Sequence, residues 1–287
     1  MIGVLGGTGI TGSQVVSALE AKGAKFKCIV RDPAKAAEKL GSEISFFQGD
    51  LSDPSSLDTA FEGLDTLYIL CGHSPKLAEF EINGLEAAKR AGISYVVKSS
   101  GSEKGVTADA PSEIIRNHYV VEQEVRKGAI DWAISQPNFF TSNLLNMAGP
   151  VAAMDKLITA LPMETTISMV HPADVGECAA EILMNKSYNG AAYYLAGAAI
   201  TMGDVVKTMS EVLDREIEYV QVPPEAARKA MEEKGMPDWL VAHMGGMMGF
   251  VAQGGMAGES DWVEKLTGHA PRTLREWLEE NKGAFGG

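Results

Sequence analysis

The segment Gly6-Gly7-Thr8-Gly9-Ile10-Thr11-Gly12 lies between a short apolar run, Ile2–Leu5, and an amphipathic stretch, Ile10–Lys22. These flanks predict a strand followed by a helix, with the glycines in the turn between them. Glycine at the first, fourth and seventh positions allows a tight turn, close approach of a pyrophosphate, and close packing of helix on strand. The N–H groups and the dipole at the helix start attract an anion. We therefore predict a dinucleotide-binding turn that uses Gly6, Thr8, Gly9, Ile10 and Thr11.

The same strand–helix alternation continues through residues 1–136, with short turns between the elements. Because helices separate successive strands, the pattern predicts an α/β fold, a doubly wound parallel sheet of the Rossmann type covered on both faces. Six strands are expected in this dinucleotide-binding core, near Ile2–Leu5, Lys25–Arg31, Ile44–Gln48, Thr66–Leu70, Ile93–Ser99 and Ile130–Ser135.

The rhythm changes after Pro137. Residues 137–287 predict a small, mainly helical substrate-binding region, with strands and helices that return to the core, and Asn138–Met147 is expected to be helical. Six methionines between residues 231 and 256 predict a flexible apolar lid, because methionine adapts to flat or irregular ligands. Ordinary core packing or a dimer surface is the alternative for these methionines.

Charge and cysteine usage restrict the class of protein. The formal net charge is −13 and the basic residues are scattered, which argues against a nucleic-acid partner. The three cysteines, Cys28, Cys71 and Cys178, have neither metal-site nor disulfide spacing, so we expect no metal and a reducing cytoplasm. No stretch has the features of a signal peptide or of a membrane span, so no membrane association is expected.

The end of the second predicted strand, Cys28-Ile29-Val30-Arg31-Asp32-Pro33, bears on the choice of dinucleotide. At this position an acidic residue binds the ribose 2′-hydroxyl of NAD, whereas an arginine suits the 2′-phosphate of NADP. Arg31 favours NADP, and NAD is the less favoured alternative because Asp32 follows directly. Asp32 also precedes Pro33, so it could instead cap a helix.

Two later strand ends extend the predicted cofactor groove. Asp50, after the third strand, could accept a hydrogen bond from the adenine amino group or cap its own loop. After the fourth strand, Gly72 lets the chain pass close to the cofactor, and Cys71 has no visible base partner that would make it a nucleophile. The predicted contacts in this part of the groove are Asp50, Leu51, Cys71 and Gly72.

These motifs resemble those of the NmrA-like family of atypical short-chain dehydrogenases/reductases. The resemblance covers essentially the whole chain and is strongest toward triphenylmethane reductase-like and quinone reductase-like members. It implies an NADP-binding fold with a small C-terminal substrate region, in a family that includes both reductases and redox-sensing regulators. It also implies that Asn138 and Phe139 contact the nicotinamide, with core packing as the alternative. The motifs that carry it are the glycine turn, Val30-Arg31-Asp32-Pro33, Gly49-Asp50-Leu51, Gln136-Pro137-Asn138-Phe139-Phe140, His171-Pro172-Ala173-Asp174-Val175-Gly176-Glu177 and Leu266-Thr267-Gly268-His269-Ala270-Pro271-Arg272.

The Tyr-x-x-x-Lys pair that short-chain reductases carry before the sixth strand is absent. Here Tyr119 is followed four positions later by Gln123, and the helix carries His118-x-x-x-Glu122 instead. An i,i+4 spacing places His118 and Glu122 on one helix face, so Glu122 could orient His118 as a proton donor. A structural histidine fixed to a carboxylate is the alternative.

The fifth strand ends in Val97-Lys98-Ser99-Ser100-Gly101. Ser99 or Ser100 matches the place where short-chain reductases carry a substrate-polarising serine. A lysine at the carboxyl end of a central strand would lie near the nicotinamide ribose or the substrate, in place of the missing helix lysine. The alternative for Lys98 is an edge lysine that reaches water. The predicted catalytic residues are Lys98, Ser99 and His118.

The sequence thus predicts an NADPH-dependent reductase of a flat, apolar, electron-poor molecule such as a quinone, enone, imine or dye. The alternative is an NADP-binding, redox-sensing regulatory protein without turnover, because the acid–base set is incomplete. The expected partner is a small apolar or aromatic molecule, and the sequence leaves a homodimer open.

Overall fold

The apolar runs of the first half form parallel strands of one seven-stranded sheet. The structure is a computed structural model that describes all residues from 1 to 287. The strand order is β10-β6-β5-β4-β1-β2-β3, so the chain reverses its direction of winding between β1 and β4. In such sheets ligands bind at the carboxyl ends of the strands beside this switch point. The strands, numbered along the chain, are β1 (Ile2–Leu5), β2 (Phe26–Val30), β3 (Phe46–Gln48), β4 (Thr66–Ile69), β5 (Tyr95–Ser99), β6 (Asp131–Pro137) and β10 (Ala191–Leu195).

Helices cover both faces of the sheet, which confirms the predicted doubly wound fold. Alternate side chains of β5 point to opposite faces. Tyr95 and Val97 pack with α1, α2 and α7, whereas Val96 packs with α3, α4 and α5. By the same alternation Lys98 faces α4 and α5, and Ser99 faces away from them. The helices are α1 (Ile10–Ala21), α2 (Pro33–Leu40), α3 (Pro54–Ala60), α4 (Leu77–Arg90), α5 (Glu113–Arg126) and α7 (Pro172–Met184).

The second half of the chain returns to the central sheet. β10 pairs in parallel with β6, and α7 packs so closely on α1 that a Cβ at Gly176 would lie 2.5 Å from the carbonyl carbon of Gln14. Nine of the remaining elements pack around a third apolar cluster that includes Leu144, Val205 and Trp277. They are β7 (Phe139–Phe140), α6 (Ala148–Met154), β8 (Lys156–Thr159), β9 (Thr166–Val170), β11 (Ala199–Thr201), α8 (Met202–Leu213), β12 (Glu218–Gln221), α10 (Asp238–Ala252) and α12 (Leu274–Asn281). The other two are α9 (Pro224–Glu233), which has no buried residue, and α11 (Trp262–Thr267), which packs on α7.

The helix predicted over Asn138–Met147 is wrong at its start. Phe139 and Phe140 form β7, which pairs in parallel with Met169 and Val170 of β9, and a 3₁₀ helix follows over Thr141–Met147. Pairing with a strand from a distant part of the chain overrides the local helical pattern here.

None of the helices combines the length and the apolar composition that a membrane span requires.

Candidate active site at the carboxyl ends of the central strands

The glycine turn between β1 and α1 has the geometry that a dinucleotide pyrophosphate requires. Gly6 has a φ of +73°, and a Cβ at Gly12 would lie 2.0 Å from the carbonyl oxygen of Gly6. Gly9 is the N-cap of α1 and offers no side chain to the first turn of the helix, which also lacks an acidic residue. The helix start is therefore uncapped and electropositive, and the residues present fit the cofactor that the sequence predicts.

The two charged residues after β2 have different surroundings. Asp32 caps α2 by accepting a hydrogen bond from the Lys35 N–H at 3.2 Å, and its other oxygen lies 3.4 Å from Lys35 Nζ. The hydrogen bond from the Lys35 backbone lowers the pKa of Asp32 below its ordinary value. The exposed Arg31 guanidinium has no ion pair within the protein. Arg31 is thus available to a ligand, whereas Asp32 is engaged by its own helix.

Asp50 and Leu51 occupy the loop after β3. One carboxylate oxygen of Asp50 accepts hydrogen bonds from the N–H and the hydroxyl of Ser52, at 2.9 and 2.8 Å. The carbonyl oxygen of Leu51 accepts from Asn83 Nδ2 of α4 at 2.9 Å. Asp50 therefore caps its loop with one oxygen, and this leaves its second carboxylate oxygen for the predicted adenine contact.

Cys71 and Gly72 follow β4. The Cys71 N–H donates to Glu81 Oε1 at 2.9 Å, and burial together with the Glu81 charge raises the pKa of its thiol to about 11. A thiol of this pKa is protonated at neutral pH, in agreement with the expectation that Cys71 is not a nucleophile. Gly72 is exposed, and a Cβ there would meet no atom within 4 Å.

Lys98 lies at the centre of a buried polar cluster. Its Nζ is 2.9 Å from Glu81 Oε2, an ion-pair contact, and donates to Glu81 Oε1 at 3.1 Å. The same Nζ donates to the carbonyl oxygen of Ser99 and lies 3.1 Å from Nδ1 of His118. Lys98 and Glu81 are both 0% exposed. The alternative of an edge lysine that reaches water is therefore wrong.

His118 of α5 is held by Lys98 rather than by Glu122. Burial and the nearby Lys98 charge lower the pKa of His118 well below its ordinary value. Glu122 instead accepts from Gln136 Nε2 at 2.9 Å and from Arg126 at 3.1 Å. The prediction that Glu122 orients His118 is thus wrong, because Gln136 of the neighbouring β6 occupies that carboxylate.

Two further histidines flank this cluster. The rings of His73, after β4, and His243, of α10, meet edge to face with centroids 4.9 Å apart. Nδ1 of His243 lies 2.6 Å from the Ser112 hydroxyl at the start of α5. A Cβ at Gly246 would lie 2.9 Å from the carbonyl oxygen of Pro111, so α10 approaches the segment before α5 closely. The methionine-bearing helix thus covers the carboxyl end of the sheet beside His118.

Ser99 is not brought to this cluster. Its side chain points to the opposite face of the sheet from Lys98, because the two residues are consecutive in β5. The Ser100 hydroxyl, just beyond the strand, is buried and has no hydrogen-bond partner. A convergent role with His118 is therefore not available to the Ser99 side chain.

Asn138 and Phe139 lie at the other side of the sheet edge, after β6. Asn138 Nδ2 donates to the carbonyl oxygens of Ser168 and Met256, each at 2.8 Å, while Oδ1 is buried without a partner. Phe139 is half-buried and packs on the third apolar cluster. Both side chains contribute to packing, and the nicotinamide contact remains a prediction.

Sequence reasoning missed Glu81, although a signal for it exists. Leu77, Glu81 and Leu85 are spaced by four residues in α4, and all three are buried. A carboxylate on the apolar face of a helix needs a partner, because burying an unpaired charge is strongly unfavourable. Lys98, inside an apolar strand, likewise needs a buried partner, and the two residues pair with each other.

Comparison with known proteins identifies the family of this chain. A model of the NmrA-like family matches residues 1–278. The chain belongs to the NmrA-like family. It is 32% identical to an NAD(P)H azoreductase of Xenophilus azovorans, over 100% of this chain and 99% of the relative. It is 24% identical to Quinone oxidoreductase 2 of Escherichia coli, over 96% of each chain.

Solved structures share the fold of this NmrA-like protein. The Escherichia coli quinone oxidoreductase QOR2 complexed with NADPH superposes with a TM-score of 0.88 at 24% identity, over 98% of this chain and 100% of that chain. The Citrobacter sp. triphenylmethane reductase complexed with NADP(H) gives 0.86 at 20% identity, over 99% and 100%. At these identities the likeness establishes the fold.

Proposed function

We propose that this protein is an NAD(P)H-dependent oxidoreductase that uses NADPH to reduce a flat, apolar, electron-poor molecule such as a quinone, azo compound, enone or dye. The observation that carries the proposal is the uncapped start of α1 at the same sheet edge as the buried Lys98–His118 pair. A groove for an anionic dinucleotide and a polar group for the substrate thus share one edge. Full-length similarity to an NAD(P)H azoreductase supports the same assignment.

The preference for NADPH rests on Arg31 and Asp32. The guanidinium of Arg31 has no ion pair within the protein, whereas Asp32 is engaged by the N–H and the ammonium of Lys35. An engaged carboxylate is a poor acceptor for a ribose hydroxyl, and an unpaired guanidinium matches a phosphate with its fork of N–H donors.

The reaction divides between cofactor and protein. The nicotinamide supplies the hydride when bound. The protein would hold the pyrophosphate at the start of α1, place the substrate beside His118, and exclude water with α10 and its half-buried methionines Met244, Met247 and Met248. This division fits a chain that lacks the tyrosine–lysine pair of short-chain reductases but keeps an intact cofactor turn.

The proposal is tested by measuring the loss of NADPH absorbance with a panel of quinones, azo compounds, enones and cationic dyes, and by repeating each assay with NADH. We expect turnover with at least one acceptor class and a lower KM for NADPH than for NADH. Tight NADPH binding without turnover on the whole panel would overturn the enzyme assignment and support the redox-sensing regulator.

A further inference from the structure

The three donors of the Lys98 ammonium are all engaged inside the protein. They point to the Glu81 carboxylate, to the carbonyl oxygen of Ser99 and to Nδ1 of His118. No donor remains for a cofactor ribose or for a substrate. Lys98 must therefore act through His118.

The contact with Lys98 fixes the tautomer of His118. An ammonium has no lone pair, so Nδ1 must accept the hydrogen bond and the ring proton must lie on Nε2. Nε2 makes no hydrogen bond within the protein, and it remains accessible from outside the protein. The Nε2–H group is therefore open to a ligand at the sheet edge.

We propose that Glu81, Lys98 and His118 form a proton relay in which the buried ammonium is the proton source and the neutral imidazole passes the proton on. This inference rests on the proposed function. Hydride addition to a neutral quinone or azo compound leaves an anion on oxygen or nitrogen. His118 gives its Nε2 proton to that anion while Nδ1 takes a proton from Lys98 Nζ. The Nε2–H bond breaks as an O–H or N–H bond forms on the product, and an Nζ–H bond of Lys98 breaks as the Nδ1–H bond of His118 forms. Lys98 becomes a neutral amine and regains a proton from water through His118 after product release.

Glu81 is a positioning residue in this relay. Its carboxylate is the negative partner of Lys98, and its Oε1 is itself fixed by the Cys71 N–H after β4. Without this carboxylate a fully buried amine would favour the neutral form, which has no proton to pass on. The relay therefore requires Glu81 although Glu81 touches neither substrate nor cofactor.

The relay also defines the substrate class that depends on it. A quinone or an azo compound needs both a hydride and a proton. A cationic triphenylmethane dye needs only the hydride, because hydride addition to the cation gives a neutral product directly. The two kinds of acceptor therefore separate hydride transfer from proton transfer in one active site.

The experiment measures kcat for a quinone and for a cationic dye with Lys98→Met, Glu81→Gln and His118→Gln. We expect the ratio of kcat for quinone to kcat for dye to fall by about 100-fold or more, because a positioned acid contributes about 10²- to 10⁴-fold. Lys127→Met, at an exposed lysine just after α5, is the matched control and should keep the wild-type ratio. A ratio within about twofold of wild type in the three site variants would overturn the relay.

A double variant and a solvent isotope effect provide two further measurements. The double variant Lys98→Met/Glu81→Gln removes both buried charges and provides a folded protein if Lys98→Met alone unfolds. The rate for the quinone should decrease in D2O in the wild type, and this isotope effect should be larger than for the dye. Equal isotope effects for the two acceptors would contradict the relay. Absence of turnover with both acceptors would instead count against the proposed function.

Discussion

Nζ of Lys98 and Nδ1 of His118 lie 3.1 Å apart, and both side chains are buried at the carboxyl ends of the central strands. Because the lysine donates, the imidazole is neutral and presents its Nε2–H outward. Burial lowers the pKa of His118 well below its ordinary value, and the charge of the neighbouring ammonium lowers it further because an imidazolium would be a second positive charge beside it. The sequence suggests His118 as an ordinary acid. In the structure it is a neutral imidazole that can donate from Nε2, while its Nδ1 accepts a hydrogen bond from the Lys98 ammonium.

The Lys98–Glu81 pair is expected to contribute to the free energy of unfolding of the protein. We expect Lys98→Met to lower the free energy of unfolding by about 3–5 kcal/mol, because it leaves the Glu81 carboxylate buried and unpaired. The double variant Lys98→Met/Glu81→Gln should recover a large part of this loss. Urea unfolding of both variants, with Lys127→Met as the exposed control, tests this. Equal losses in the single and double variants would show that the pair is not the cause.

Arg31 is expected to determine the preference for NADPH. Arg31→Ala should raise the Kd for NADPH by about 10- to 100-fold, since a charge-assisted hydrogen bond contributes about 1.5–3 kcal/mol. The Kd for NADH should change far less, because NADH lacks the 2′-phosphate. Lys39→Ala is the control, because Lys39 is an exposed lysine in the last turn of the same helix and has no ion pair within the protein. An unchanged ratio of the two Kd values in Arg31→Ala would remove the argument for NADPH.

Alanine in place of a glycine of the turn should impair cofactor binding, whereas alanine in place of a glycine elsewhere should not. Gly12→Ala should abolish measurable cofactor binding and lower stability, because its Cβ would lie 2.0 Å from the Gly6 carbonyl oxygen. Gly149→Ala, in α6 with no atom within 4 Å of its Cβ, should bind cofactor like the wild type. Calorimetric titration with NADPH and thermal unfolding measure both effects. Wild-type affinity in Gly12→Ala would contradict the close approach of turn and helix.

His243 should make the protein sensitive to acid. Burial lowers its pKa from the ordinary 6.5 to about 4, so between these values the unfolded chain binds a proton that the folded protein does not. The contribution of His243 to stability therefore rises with pH from about 4 to 6.5, and His243→Gln should lack this contribution. The difference in slope approaches about 1.4 kcal/mol per pH unit at most. Urea unfolding at several pH values measures it, and parallel curves would contradict it.

Much of the fold follows from local patterns in the chain. The strand and helix periods of the first half and the glycine turn can all be located from the sequence. The strand at Phe139–Phe140 cannot, because its partner β9 lies about thirty residues away and only tertiary pairing reveals it.

The site divides in the same way. The sequence by itself determined that a dinucleotide turn, a lysine at the end of β5 and a histidine on α5 are present. It also contained the signal that Lys98 and Ser99 face opposite ways, because consecutive residues of a strand always do.

Only the tertiary structure decided which polar groups meet. Glu122 pairs with Gln136 of β6, and His118 is left to Lys98, which in turn needs the carboxylate of Glu81 from α4. The physical reason is that periodicity is a property of neighbouring residues, whereas the pairing of buried charges depends on which helices cover the same face of the sheet.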